Sequence, residues 1–143
     1  MKKILLLLSF AIALSAMVSC SKSPEAEFID ASKGVIELQT TTAEKLDKAA
    51  TGKDAGDILL NWAKDMRMKG DQVNLSEKRF NKSKDFDPKF LSEVGALEQA
   101  GRQSSASFSA AFRKAKEKFR NEKEYQSALM ILSQTYHMDV GGY

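Results

Sequence analysis

Two residue types that often carry chemistry occur once each in this chain, as Cys20 and His137. Histidine supports acid–base catalysis and metal binding, whereas cysteine supports nucleophilic catalysis, disulfides and covalent attachment. A catalytic zinc ion takes three protein ligands, and His137-Met138-Asp139 offers two of them without a second histidine in the sequence. We therefore interpret His137 as an exposed residue at a helix end, where a cation suits the helix dipole.

The other chemical motifs of the sequence are weak. Serines are common, but none lies in a nucleophile-elbow pattern. Asp65 to Gly70 places a glycine as a calcium loop does, but Arg67 and Lys69 occupy positions where calcium needs oxygen ligands. The sequence contains no glycine-rich phosphate loop. We therefore predict a protein that is not an enzyme and that holds no cofactor and no metal.

The first 20 residues have the organisation of an export signal. Met1-Lys2-Lys3 gives a positive start, and Ile4 to Val18 is an apolar run of 15 residues broken only by two serines. A membrane-spanning helix needs about 20 apolar residues, so this shorter run is typical of a secretory signal peptide. Cys20 ends the segment, and no second cysteine is present to form a disulfide with it.

Met17-Val18-Ser19-Cys20 resembles the lipobox of bacterial lipoproteins, with methionine where that family usually has leucine. The resemblance covers only the leader. It implies that residues 1–19 are a lipoprotein signal peptide and that the Cys20 sulfur carries a diacylglyceryl group with acyl chains such as palmitate. Cys20 to Ser23 would then be a short lipidated tether to the membrane. The alternative is a plain secretory signal with a chance cysteine.

The resemblance also implies a location in the bacterial cell envelope. Ser21, rather than aspartate, follows the cysteine. Under the enterobacterial sorting rule, which belongs to the family, that favours the outer membrane over the inner one. The face of the membrane, periplasmic or surface, stays open.

The body that follows residue 20 is nearly neutral. Lys2 and Lys3 belong to the leader, which leaves 20 basic against 19 acidic residues and a net charge of +1. Such a body has no global field to attract nucleic acid, so we expect no nucleic-acid partner. Only two prolines and eight glycines occur in the 143 residues, and this composition favours a single helical domain.

Apolar residues recur at steps of three and four in four segments, which predicts an all-α domain over residues 24–143. Ser23-Pro24 and Asp87-Pro88 each combine a capping residue with a proline suited to a first helical turn. We predict that Asp54 caps the second helix and that Gly70 ends it. The predicted helices cover residues 24–50, 54–69, 88–120 and 122–137, and the weakly patterned segment 70–87 is a predicted loop, with room for a short helix around 75–82.

Four such helices predict a small antiparallel bundle or an elongated array of helical hairpins. The stretch Gly101–Ser105 is rich in glycine and serine. It leaves open whether the helix over residues 88–120 is continuous or bent there.

A group of basic residues, which we call the basic strip, follows Phe112. It consists of Arg113, Lys114, Lys116, Lys118, Arg120 and Lys123. One interpretation is a surface for anionic groups, such as lipid head groups, lipopolysaccharide or an acidic partner. The other is the solvated face of a helix, and the apolar stripe of Phe112, Ala115 and Phe119 favours it.

We therefore expect a non-enzymatic, lipid-anchored envelope protein whose helical body is a binding or structural module for another envelope component, a protein or a polymer. The alternative is a carrier or sensor of an apolar or anionic small ligand, such as a lipid or a lipopolysaccharide fragment. That function predicts a cavity lined by Trp62, Phe108 and Phe112 with a basic rim near Arg113, although such aromatic residues are also typical of a core. The partner and the oligomeric state stay open.

Overall fold

The structure, a computed structural model, describes residues 22–80 and 87–140, with Phe80 described in its backbone only. Within these ranges the chain forms four helices and no strand, which confirms the prediction of a small all-α bundle. The helices are α1 (Pro24–Lys48), α2 (Gly52–Phe80), α3 (Pro88–Lys118) and α4 (Lys123–Tyr136). The predicted signal peptide, Cys20 and Ser21 lie outside the described residues, as do residues 81–86 of the predicted loop.

Capping side chains begin α1 and α3, as their sequences predict. The Ser23 hydroxyl accepts a hydrogen bond from the Ala26 amide at 3.2 Å, and proline occupies the first turn of α1. At α3 the Asp87 carboxylate accepts from the Lys89 amide at 3.0 Å, again beside a proline. Each side chain satisfies an amide that has no partner within its helix.

The predicted cap of α2 at Asp54 is wrong. The helix begins at Gly52, and the Thr51 hydroxyl accepts a hydrogen bond from the Asp54 amide at 3.1 Å. Threonine is a good capping residue. Glycine in the first turn also lets the Gly52 amide donate to the Glu122 carboxylate, because a Cβ at this position would lie 2.7 Å from the Glu122 Cβ.

The predicted end of α2 at Gly70 is also wrong, because the helix continues to Phe80. Val73 and Ser76 continue the inward face of α2 beyond Gly70. Val73 is half-buried, and Ser76 is only 5% exposed. Near the end, the Arg79 guanidinium pairs with the Glu27 carboxylate of α1 at 2.8 Å. Packing against α1 therefore stabilises a segment whose own sequence is mostly polar.

The helices run alternately up and down, with α1 packed against both α2 and α3, and α4 packed against α2. The Arg79–Glu27 pair joins the end of α2 to the start of α1, so these two helices are antiparallel. Lys114, near the end of α3, pairs with Asp47 at the end of α1 at 3.2 Å, so these helices are parallel.

The core lies in the half of the bundle where all four helices are present. The rings of Trp62 on α2 and Phe108 on α3 stack with centroids 4.2 Å apart. Phe119 and Tyr125, on either side of the last turn, are 5.8 Å apart. The core residues are Ala43, Leu46, Ala49, Ala55, Leu59, Trp62, Ala63, Phe108, Ala111, Phe112, Ala115, Phe119, Tyr125, Leu129 and Leu132. The described residues thus form one hydrophobic core to which all four helices contribute.

The α3 helix is continuous from Pro88 to Lys118, with no break at Gly101–Ser105. The Ser104 hydroxyl, which is buried, contacts the Gln39 side-chain oxygen of α1 at 2.7 Å and the Gly101 carbonyl at 3.0 Å. Ser105 donates to the same Gln39 oxygen at 3.3 Å. The serines that suggested a bend therefore bind a neighbouring helix instead.

The α4 helix is much shorter than its neighbours, with 14 residues against 29 in α2 and 31 in α3. It lies beside the first half of α2 and ends near Met66, which borders a pocket with Tyr136. Beyond that level the described part of the bundle consists of α1, α2 and α3.

Candidate functional site

A groove opens where α4 ends, and we call it the slot. It lies between α2 and α3, has α1 as its floor and encloses about 410 Å³. Its apolar lining residues are all half-buried rather than packed away. The lining consists of Phe28, Ser32, Val35, Ile36, Met66, Gly70, Val73, Asn74, Val94, Leu97, Glu98 and Gly101. The slot therefore occupies the place that a longer fourth helix would fill.

Glycines form part of both walls of the slot, Gly70 on α2 and Gly101 on α3. A Cβ built at either position would meet nothing within 4 Å. Because glycine has no side chain, the slot is wider at these two positions. The room is comparable to the smaller binding sites for small molecules.

A second pocket, which we call the α4-end pocket, adjoins the slot and encloses about 530 Å³. Trp62, Ala63, Met66 and Arg67 of α2 line one side, and Thr135, Tyr136, His137 and Met138 line the other. Met66 lines both this pocket and the slot. Among the described residues, no acidic side chain lines the pocket, whereas Arg67, Thr135, His137 and Trp62 bring hydrogen-bond donors to it.

Trp62 is 7% exposed, and its Nε1–H has no hydrogen-bond partner in the described part of the chain. Buried donors of this kind are rare in folded proteins. Its indole ring stacks on Phe108 on the core side and borders the α4-end pocket.

A third groove, the α1–α3 groove, lies on the other side of Ile36 and Leu97, which also line the slot. It encloses about 700 Å³. Ala96 and Ala100 lie one turn apart on its α3 wall, and such small residues let a helix approach closely. The full lining is Ile29, Lys33, Ile36, Glu37, Glu93, Ala96, Leu97 and Ala100.

Three of the four lysines of the basic strip bind parts of the molecule itself. Lys114 pairs with Asp47, and the Lys118 ammonium donates to the Ala49 carbonyl at 2.8 Å. The Lys116 ammonium donates to the Val140 carbonyl at 2.8 Å. Beneath the strip, Phe112, Ala115 and Phe119 are buried. Arg113, Arg120 and Lys123 are exposed.

Of the three aromatic residues predicted to line a ligand cavity, Trp62 borders the α4-end pocket, whereas Phe108 and Phe112 fill the core. Phe108 and Phe112 are 6% and 4% exposed, and their rings stack with centroids 6.2 Å apart. The apolar grooves lie elsewhere, and sequence reasoning missed them. Gly70 and Gly101 each lie on an apolar stripe of their helix, but a glycine in such a stripe does not by itself indicate a groove.

His137 ends α4 as an exposed residue in the left-handed region, with φ 53° and ψ 34°. No group of three or more histidine, cysteine or acidic side chains in residues 22–80 and 87–140 is placed to hold a metal ion. Cys20 is outside those ranges.

None of the helices described is long and apolar enough to cross a membrane. No protein-family model matches the chain, and no curated protein or solved structure is detectably similar to it.

Proposed function

We propose that this chain is a non-enzymatic, lipid-anchored protein of the bacterial cell envelope whose helical body binds another envelope component. The observation that carries the proposal is the α1–α3 groove. Its floor is apolar, its α3 wall has the small residues Ala96 and Ala100, and its rim carries Lys33, Glu37 and Glu93. These features suit an amphipathic helix of a partner protein.

The anchor would be the Cys20 thioether, with the membrane at the end of the bundle where α1 begins. Lys22, two residues after Cys20, forms an ion pair with Asp30 of α1. The Ser23 cap then fixes the start of the helix. A short tether of this kind would hold the start of the α1–α3 groove close to the membrane surface, and two or more acyl chains give stable anchoring.

Mass spectrometry of the intact protein from a bacterial host tests the anchor. We expect a mature chain that begins at Cys20 and carries acyl chains, and an envelope fraction that loses the protein in the Cys20→Ala variant. A native chain without acyl chains would overturn the anchor.

A photoreactive amino acid placed at Ala100 tests the partner surface. Ala106 on the same helix is exposed and borders none of the grooves described above, so it serves as the matched control. We expect one protein to be cross-linked from Ala100 but not from Ala106 in intact cells. Equal labelling from both positions, or from neither, would contradict the proposed surface.

A second candidate function is a carrier or sensor of an apolar or anionic small ligand. The slot and the α4-end pocket favour it, because both have volumes typical of small-molecule sites. Mass spectrometry of organic extracts from the purified native protein tests it. A lipid present in stoichiometric amounts would support this function, and an extract without any lipid would count against it.

A further inference from the structure

We infer that the slot and the α4-end pocket form one binding site for a single-chain anionic amphiphile, a fatty acid. The carboxylate would lie in the α4-end pocket and the alkyl chain in the slot. This inference deepens the carrier function proposed above and rests on it.

The two cavities adjoin each other at Met66. Met66 lines both, and the lining of α2 runs without interruption from Trp62 to Asn74. Those residues are twelve positions apart, a rise of about 18 Å along the helix at 1.5 Å per residue. The site is therefore long and narrow, as an extended alkyl chain requires.

The two ends of this site differ in polarity, as the two ends of a fatty acid do. The described lining of the α4-end pocket includes Arg67, Thr135 and His137 and contains no acidic residue. Arg67 is exposed and forms no ion pair within residues 22–80 and 87–140, although Asp71 lies one turn further along α2. A carboxylate would give this guanidinium the charge-assisted, two-pronged partner that it favours.

The slot, by contrast, is lined mainly by apolar side chains. Its one charged lining residue, Glu98, is paired with Arg102 at 3.5 Å. None of the described residues that line the slot is basic, so none of them would hold a second head group. A volume of about 410 Å³ lies near the lower end of the range for small ligands, which favours one alkyl chain over the two of a phospholipid.

Titration of the body, Ser21 to Tyr143, with dodecanoate below its micelle concentration tests the inference. The described core, from Ala43 to Leu132, lies within this body, and circular dichroism of the body checks that it folds without the leader. Trp62 is the only tryptophan and borders the pocket, so its fluorescence reports binding, with equilibrium dialysis as an independent measurement. We expect saturable binding of one dodecanoate, and decanoate should bind roughly tenfold more weakly because it buries two fewer methylenes.

Leucine at Gly101 would occupy part of the slot, and its Cβ would meet nothing within 4 Å. Gly95→Leu is the matched control, because Gly95 lies on the same helix, is equally unobstructed and is not part of the slot. Both changes favour helix formation. We expect Gly101→Leu to weaken dodecanoate binding at least tenfold, from the alkyl chain that it displaces, and Gly95→Leu to leave binding within about twofold of the unchanged body.

The Arg67→Gln variant separates the contribution of the ligand's carboxylate to the affinity from that of its alkyl chain. We expect this variant to bind dodecanoate about fivefold to tenfold more weakly, because a partly exposed charge-assisted hydrogen bond is lost. Dodecanol, which has no charge, should bind the variant and the unchanged body equally.

Three results would overturn the inference: no saturable binding of dodecanoate, equal affinity for dodecanol and dodecanoate in the unchanged body, or equal effects of Gly101→Leu and Gly95→Leu. A slot that instead holds a helix of a protein partner would give the first result. None of these results bears on acylation of Cys20 or on cross-linking at Ala100, so failure of the anchor or of the partner surface remains a separate finding.

Discussion

Tyr125 places a hydroxyl group without a hydrogen-bond partner at the centre of the core, which lowers the stability of the folded protein. The side chain is completely buried, and its hydroxyl has no hydrogen-bond partner among the residues described. The same burial raises the pKa of Tyr125 to about 12, because it penalises the charged phenolate. The ring packs on Phe119, so its shape contributes to the core while its oxygen does not.

Tyr125→Phe should therefore increase the free energy of unfolding by about 1 kcal/mol, because it removes a buried, unsatisfied hydroxyl and keeps the ring. The pKa of Tyr125 in the folded state lies above its value near 10 in the unfolded state. The Tyr125 hydroxyl therefore stays protonated to a higher pH in the folded protein than in the unfolded one. Wild-type stability then falls as the pH rises from about 10 to about 12, and the variant lacks this decrease. Urea unfolding of both proteins across this range measures the difference, and parallel curves would contradict it.

His137 adopts backbone angles that are more typical of glycine. It has φ 53°, and the amide of Met138, which follows it, donates to the Leu132 carbonyl at 3.3 Å. This arrangement ends α4 with the hydrogen bond that a glycine at the same position usually supports.

We expect the His137→Gly protein to be at least as stable as wild type, and His137→Val to be less stable than His137→Gly by about 1–2 kcal/mol. A β-branched side chain is strained in the left-handed region, whereas glycine is not. Thermal unfolding compares the three proteins. Equal midpoints for the glycine and valine variants would show that the end of α4 tolerates another conformation.

At the scale of elements, the contact between α2 and α4 depends on a missing side chain. A Cβ at Gly56 would lie 2.9 Å from the Ala128 Cβ, too close for two carbon atoms. The glycine therefore lets the two helices approach each other closely. Gly95 of α3 is also inside a helix, but a Cβ there meets nothing within 4 Å.

Alanine at these two glycines should have opposite effects. Gly95→Ala should stabilise the protein by about 0.5–1 kcal/mol through helix propensity. Gly56→Ala should destabilise it by about 1–2 kcal/mol, because overpacking pushes α4 from α2 and outweighs the same gain in propensity. Denaturant unfolding tests the pair, and stabilisation by both changes would show that α4 moves away without cost.

The sequence predicts the helix starts better than the helix ends. Ser23-Pro24 and Asp87-Pro88 are local signals, because a capping oxygen and the fixed φ of proline act within a few residues. The continuation of α2 past Gly70 depends on contacts with α1, such as the Arg79–Glu27 pair, which are far apart in sequence. Local patterns cannot contain that information.

Across the whole molecule, the core is distributed unevenly. Its residues on α2 and α3 lie between Ala55 and Ala63 and between Phe108 and Ala115. In the half without α4, the buried apolar side chains of the described ranges are only Ile29 and Phe90. The two halves of the long helices should therefore differ in local stability.

Hydrogen exchange should show this difference along a single helix. We expect amides of residues 70–79 in α2 to open at a lower free energy than those of residues 55–63, because fewer buried contacts hold them. The same order should hold for residues 90–100 against 108–115 in α3. Exchange at native pH with peptide-level mass spectrometry measures both, and uniform protection along each helix would contradict the prediction.

The slot could not be predicted from the sequence, even though every helix that forms it was expected. The residues that line the slot recur at steps of three and four, as core residues do. The spacing of Val94 and Leu97 therefore predicts that both are buried. Only the length of α4 relative to α2 and α3 leaves that stripe partly uncovered. This is a property of the assembled bundle and not of any one segment.

The hydrogen bonds of Gln39 bear on how α1 and α3 align along their lengths. Apolar side chains at regular spacing tolerate sliding by one turn, because each finds an equivalent neighbour. A one-turn shift of α1, about 5.4 Å, would carry the Gln39 oxygen away from both Ser104 and Ser105 and leave Ser104 buried with less hydrogen bonding. The Gln39 amide thus fixes the axial register of α1 against α3. It thereby sets which residues of α1 lie opposite the α3 wall of the slot.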